Sequence, residues 1–167
     1  MATAPMDPVR EIEPFSLPAS TGQTLSLGKF KGKMPLVLVF LSDLESDENL
    51  DLLEELNERL SEFGKERSQV LAVARVTARQ AREFADDNEL KVALLADASG
   101  SMARDYEVDD DQGNTRTVAV VADREGVLKR RFDPLPIDGA ADDTVNGLLE
   151  TIQALGTGAL VPPDGEE

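Results

Sequence analysis

Between Ser42 and Asp51 the chain reads Ser-Asp-Leu-Glu-Ser-Asp-Glu-Asn-Leu-Asp, the stretch in which side chains able to do chemistry lie closest together. Asp43, Glu45, Asp47 and Glu48 supply carboxylate oxygens, the ligands that hard cations such as Mg²⁺, Ca²⁺ or K⁺ take. One chemistry open to this turn is therefore that of a cation-dependent enzyme. The same acids, with Asp51, are what a helix start collects, each gaining ~0.3–1 kcal/mol from the helix dipole. That ordinary placement is the expected one, and no metal site is assigned. The 167 residues include no Cys and no His, so thiolate chemistry, disulfide exchange, imidazole ligation and His-based triads are excluded for this chain alone. Ser42, Ser46 and Ser99 have no partner base and read as caps and turns. The run Asp109-Asp-Asp-Gln-Gly-Asn114 has the acidity of a calcium loop, but its Gly is misplaced and Val120 occupies the twelfth position, where Glu is required. Gly32 and Gly126 belong to no phosphate-cradling spacing and mark turns, so no cofactor is expected.

The elements that must position this turn are legible around it. Residues 36–41 are an unbroken apolar run of β-favouring types, the pattern of a central strand covered on both faces. After it, Leu50, Leu53, Leu56, Leu60 and Phe63 recur at helical spacing, predicting one long helix over 46–66 with Ser46 as its cap. Residues 68–75 predict a second buried strand, parallel to the first because the helix supplies the crossover. Further on, the pattern predicts a helix over 78–88 capped by Thr77, a strand over 90–95, a short helix over 99–106 and an acidic loop over 108–114. Strands over 115–122 and 127–132 follow, joined by a turn with Gly126 in a left-handed position. A final amphipathic helix over 140–155 turns Val145, Leu148, Leu149 and Ile152 inward. Upstream of the central strand, residues 15–17 and 24–27 flank a turn-rich stretch and predict a hairpin, with one helical turn over 27–32. Helices on both faces of such a sheet give an α/β, three-layer sandwich.

Several segments, taken in order, carry a resemblance. They are Phe15-Ser-Leu-Pro18, the run from Gly22 to Lys33 ending Lys29-Phe-Lys-Gly-Lys33, Pro35-Leu-Val-Leu-Val-Phe40, Gln69-Val-Leu-Ala-Val73, Leu95 to Tyr106, and Val120 to Leu128. The chain resembles the peroxiredoxin (alkyl hydroperoxide reductase/thiol-specific antioxidant, or redoxin) family over roughly residues 15–132. The resemblance implies a thioredoxin-like, peroxiredoxin-type sandwich with an N-terminal β-hairpin. The absence of a proline from 115–118 favours that branch over a thioredoxin proper. It also implies an active site at a Thr-Pro-x-Cys-like motif, whose thiolate is held by a helix N-terminus and an arginine on a late strand. Overlaid without gaps, the Thr position is Ser46, the Pro position Asp47 and the Cys position Asn49. Counting back from Asp123 puts Thr117 at the arginine's position, while Arg116 takes it with one inserted residue. The expected site is thus a degenerate one of Ser46, Asn49, Arg116 and Thr117, a shallow concavity with neutral hydrogen-bonding groups where the family has a thiol. The function expected is a non-catalytic binding or interaction module. The alternatives are an antioxidant role through a cysteine-bearing partner and the cation-dependent enzyme at Asp43, Glu45, Asp47 and Glu48.

Composition bounds the rest. The length fits one domain, expected over 15–155, between a flexible arm at 1–14 and a flexible acidic tail at 156–167. With 17 Lys and Arg against 33 Asp and Glu, the formal net charge is −16, which argues against nucleic acid or anionic membrane as partners. The expected partner is a protein of unknown identity, with a homodimer left open. No long apolar run or basic, apolar leader is present, so a cytoplasmic protein is expected, and the charge points to a high-salt cytoplasm. Self-repulsion at this charge makes a direct prediction: the melting temperature rises markedly between dilute buffer and molar KCl, as the Debye length shortens from ~10 Å at 0.1 M to ~3 Å at 1 M. A melting temperature indifferent to KCl would contradict it.

Overall fold

A strand with no polar face has to be covered on both sides and flanked at both edges, and the run at 36–41 is housed in that way. The computed structural model describes residues 15–44, 46–108, 117–132 and 141–157, the side chains of the last segment over 144–155. Along the chain run β1 (Ser16–Pro18), β2 (Thr24–Ser26), a 3-10 turn (Leu27–Lys29), β3 (Leu36–Phe40), α1 (Asp47–Glu58) and α2 (Leu60–Lys65). There follow β4 (Gln69–Ala74), α3 (Ala78–Asp87), β5 (Ala93–Ala96), α4 (Ser101–Asp105), β6 (Val118–Ala122), β7 (Leu128–Phe132) and α5 (Ala141–Thr157). β1 and β2 form the N-terminal antiparallel hairpin, and the other five strands form one sheet in the order β5-β4-β3-β6-β7. β3 is therefore central, parallel to β4 from Leu36↔Gln69 to Phe40↔Val73 and antiparallel to β6 from Leu36↔Ala122 to Phe40↔Val118.

Successive side chains of a strand leave on opposite faces, so β3 divides the core in two. Val37, Val39 and Leu41 pack with Leu52, Leu53 and Leu56 of α1, Phe63 of α2, Ala81 of α3 and Leu148 and Ile152 of α5. Leu36, Leu38 and Phe40 pack with Phe15, Leu27 and Phe30 of the entry segment and with Met102 and Ala103 of α4. Phe40 also meets the buried Tyr106 ring at 5.2 Å between centroids, tilted by 43°. Local signals finish the elements. Ser46 caps α1, Thr77 and Gln80 form a capping box on α3, and Gly126 turns β6 into β7 at φ 86°.

One expectation is corrected. The helix predicted over 46–66 is two helices, α1 and α2, broken at Arg59, which has φ −104° and ψ 13°. No Gly or Pro marks the break. Its setting is tertiary: Asn57, in the last turn of α1, donates to the Glu89 carbonyl and accepts the backbone N–H groups of Lys91 and Val92, which ties the helix end to the segment entering β5. Across the break the Arg59 guanidinium reaches Glu55 of α1 at 3.6 Å and Glu62 of α2 at 3.1 Å, and its hydrogen bond holds the Glu62 carboxyl below the usual range. At the far end α5 runs to Thr157, two residues past the expected stop. The expected arm at 1–14, Glu45, the acidic loop from Asp109 to Asn114, Arg116 and the segment 158–167 lie outside the described residues.

Candidate functional site

β3 delivers the chain from Phe40 through Leu41 into the turn at 42–46, and the turn delivers it into α1. Ser46 is the cap of α1, its backbone extended at φ −72° and ψ 145°, and its Oγ accepts the Asn49 N–H at 3.3 Å. The Ser46 N–H in turn donates to Asp43 Oδ1 at 2.7 Å. Asn49 therefore sits in the first turn of α1. Because 49, 52, 53 and 56 follow the helical repeat, its side chain points the same way as the buried leucines, and only 1% of the residue is exposed.

A primary amide has two donor hydrogens and an acceptor oxygen, and burial makes each of them costly to leave unpaired. All are used. Asn49 Nδ2 donates to Ser42 Oγ at 3.0 Å and to the Asp43 carbonyl at 2.9 Å. Asn49 Oδ1 accepts from Thr117 Oγ1 at 3.1 Å. Thr117 lies just ahead of β6, buried, and its Oγ1 accepts the Ser42 N–H at 3.1 Å while standing 3.0 Å from Ser42 Oγ. The network also fixes the orientation of the amide, since exchanging oxygen for nitrogen would set Oδ1 against the Asp43 carbonyl, acceptor against acceptor. Ser42, Asn49 and Thr117 thus close a ring of bonds that ties the end of β3, the start of α1 and the start of β6.

This arrangement is chemically quiet. An amide nitrogen has no available lone pair with which to attack, and a hydroxyl needs a neighbouring base. The hydrogen-bonding capacity that could have met a ligand is spent inside the protein. Of the two groups expected to face a concavity, the Asn49 amide is turned inward, while Ser46 stays partly exposed. A hollow of about 440 Å³ does open beside the turn, but it is lined by Ser42, Asp43, Leu44, Arg75, Gln80 and Phe84 among others, and by none of Ser46, Asn49 and Thr117. The amide fits its internal partners too well to face it. Of the two residues open for the late-strand position, Thr117 is the one described, and it touches Asn49. Asp47 and Glu48 stand exposed in the first turn of α1, and Asp43 is engaged with Ser46. Among the described residues no three acidic side chains are grouped to hold a metal ion. Sequence reasoning left Ser42 as a turn residue, yet it is the hub of the ring. Its one local signal is that it is the first polar residue after the buried run.

A mixed sheet with an entry hairpin and helices over it, carrying a polar ring at the carboxyl end of the central strand, is a thioredoxin-like domain of the peroxiredoxin type. The AhpC/TSA family model matches residues 9–131, and the chain belongs to that family. No curated protein matches the sequence significantly. Solved structures show the same fold at low identity. The Mycobacterium tuberculosis peroxidoxin BcpB has a TM-score of 0.77 and 20% identity, covering 87% of this chain and 96% of its own. Thioredoxin peroxidase I of Plasmodium yoelii has a TM-score of 0.80 and 20% identity over 95% of this chain and 98% of its own. Xanthomonas campestris peroxiredoxin Q has a TM-score of 0.78 and 18% identity over 90% and 99%.

The ring predicts a cycle of variants. Asn49→Ala and Thr117→Val each leave buried polar groups unpaired and cost ~1–3 kcal/mol of unfolding free energy by urea denaturation. In the double variant the two costs overlap by about 0.5–3 kcal/mol, because they break the same bond. Simple additivity would show that the ring is not energetically coupled.

Proposed function

We propose that this chain is a member of the AhpC/TSA family that does not turn over peroxide, and that it acts as a binding or interaction module. The observation that carries the reading is the state of Asn49. At the position where the family has its peroxidatic cysteine, this chain has an amide, 1% exposed, with every hydrogen-bonding group engaged by Ser42, Asp43 and Thr117. The rest of the family site is altered to match. Ser46 stands at the threonine position as a helix cap, and Thr117, with Arg116 as the alternative, stands at the arginine position. Asp47 and Glu48 bring carboxylates to a helix start that would otherwise favour a thiolate. A thiolate there would be opposed, whereas a neutral amide is indifferent to them.

What is left for function is the surface. A net charge of −16 disfavours polyanions and suits a protein partner, either a second copy of the chain or a different protein, in a high-salt cytoplasm. Among the described residues no helix is long and apolar enough to cross a membrane. Family membership supports a second reading, in which the chain serves an antioxidant reaction carried out by a cysteine-bearing partner. The decisive assay incubates the purified chain with hydrogen peroxide or an alkyl hydroperoxide and with dithiothreitol or thioredoxin as reductant. The expected result is consumption equal to a heat-inactivated control, since no residue can pass through a sulfenic acid. Turnover above that control would overturn the proposal.

A further inference from the structure

The pole of the sheet opposite the Asn49 ring, about 17 Å away along the five residues of β3 at ~3.3 Å each, carries a cavity of about 460 Å³. That volume lies within the ~300–1,000 Å³ range of small-molecule sites. In a chain whose acids outnumber its bases 33 to 17, four cations line it: Lys33, Arg67, Arg124 and Lys129. They come from the entry to β3, the entry to β4, the turn between β6 and β7 and the start of β7, so the fold gathers them and no basic run in the sequence does.

The acids of the cavity do not neutralise all four. Asp123 is engaged twice, accepting the Val127 N–H at 2.9 Å and pairing with Lys129 at 3.7 Å. Glu125 pairs with Arg124 at 3.7 Å. The side chains of Lys33 and Arg67 have no ion pair or hydrogen bond among the described residues. Arg67 moreover holds φ 57°, where glycine or asparagine would serve the turn with less strain, so the turn itself does not ask for a long cation. Beside these charges Pro35 and Leu155 of α5 supply a smaller apolar part of the wall, backed by the buried Ile152. Glu66 also borders the space and disfavours a ligand of high negative charge.

We propose that this cavity binds a small organic anion, its apolar body against Pro35 and Leu155 and its single anionic head, a carboxylate or a phosphate, served by Lys33 and Arg67. The site is independent of the reading given to Asn49 and of whether the chain turns over peroxide. Arg124 and Lys129 are neutralised by their acid partners, and Lys33 and Arg67 against Glu66 leave the lining with one net positive charge.

The test titrates the full chain, labelled for NMR and in dilute buffer, with phenyl phosphate, benzoate, inorganic phosphate and the neutral benzyl alcohol. Saturable shifts confined to residues around Lys33, Arg67, 123–129 and Leu155 are expected with phenyl phosphate or benzoate. Inorganic phosphate and benzyl alcohol should bind at least about fivefold more weakly, because each supplies only half of the interaction. The pair Lys33→Ala and Arg67→Asn should weaken the aryl anions by a similar factor, while Arg79→Ala, an exposed cation on α3, should not. Lys33→Glu alone provides the same comparison should the double variant unfold. No saturable binding, equal binding of benzyl alcohol, or binding unchanged in both the double variant and Lys33→Glu would overturn the proposal.

Discussion

At the carboxyl end of β3, a single buried amide holds three elements in register. Asn49 reaches back to Ser42 and Asp43 at the end of the central strand and across to Thr117 at the start of β6, while its own backbone N–H is bound by the helix cap Ser46. In a low-dielectric setting an unpaired donor or acceptor costs ~1–3 kcal/mol, so the groups have to be satisfied together. The ring binds residues 68 and 75 positions apart in the chain, and on the function proposed above it does so where the family carries a reactive group.

The proposed exchange of a thiol for an amide has a physical logic. A reactive thiolate has to be partly exposed and set among positive charges or dipoles, which costs local stability and requires an access route. An amide needs neither, because a neutral group can be buried once it is paired. The carboxylates around the turn then bring no conflict: Asp47 and Glu48 lie at the positive end of the α1 dipole, and Asp43 closes the turn onto the Ser46 N–H. The acids that would disable a peroxidatic site are compatible with, and in part support, the structural one. The chain keeps the AhpC/TSA architecture while the pole at which we place the family's chemistry is closed by its own hydrogen bonds.

The sequence made much of this legible because the signals concerned are local. The unbroken apolar run at 36–41, the leucine stripe after it, the caps Ser46 and Thr77 and the glycine at 126 each constrain their own neighbourhood, and the fold agrees with them. Placement of Asn49 in the first turn of α1 followed from the same local logic. The break at Arg59 was hidden because Asn57, which anchors the end of α1, answers to residues 89–92, more than thirty positions away. The role of Ser42 was hidden for the same reason, as was the saturation of Asn49: a side chain's partners across the sheet leave no periodicity in the sequence. The gathering of Lys33, Arg67, Arg124 and Lys129 at the other pole is likewise a product of strand order, invisible in a composition dominated by acids.

The state of the Asn49 side chain is open to direct measurement. Its two Nδ2 protons can be followed by NMR hydrogen exchange beside those of Asn146, which is exposed on α5. A buried, fully bonded amide exchanges only when the structure around it opens. The Asn49 protons should therefore appear as two sharply resolved signals that exchange at least about a hundredfold more slowly than those of Asn146, and should slow further under stabilising conditions. Exchange at the rate of Asn146 would show that the amide faces solvent, and the account of a pole closed by its own hydrogen bonds would fail.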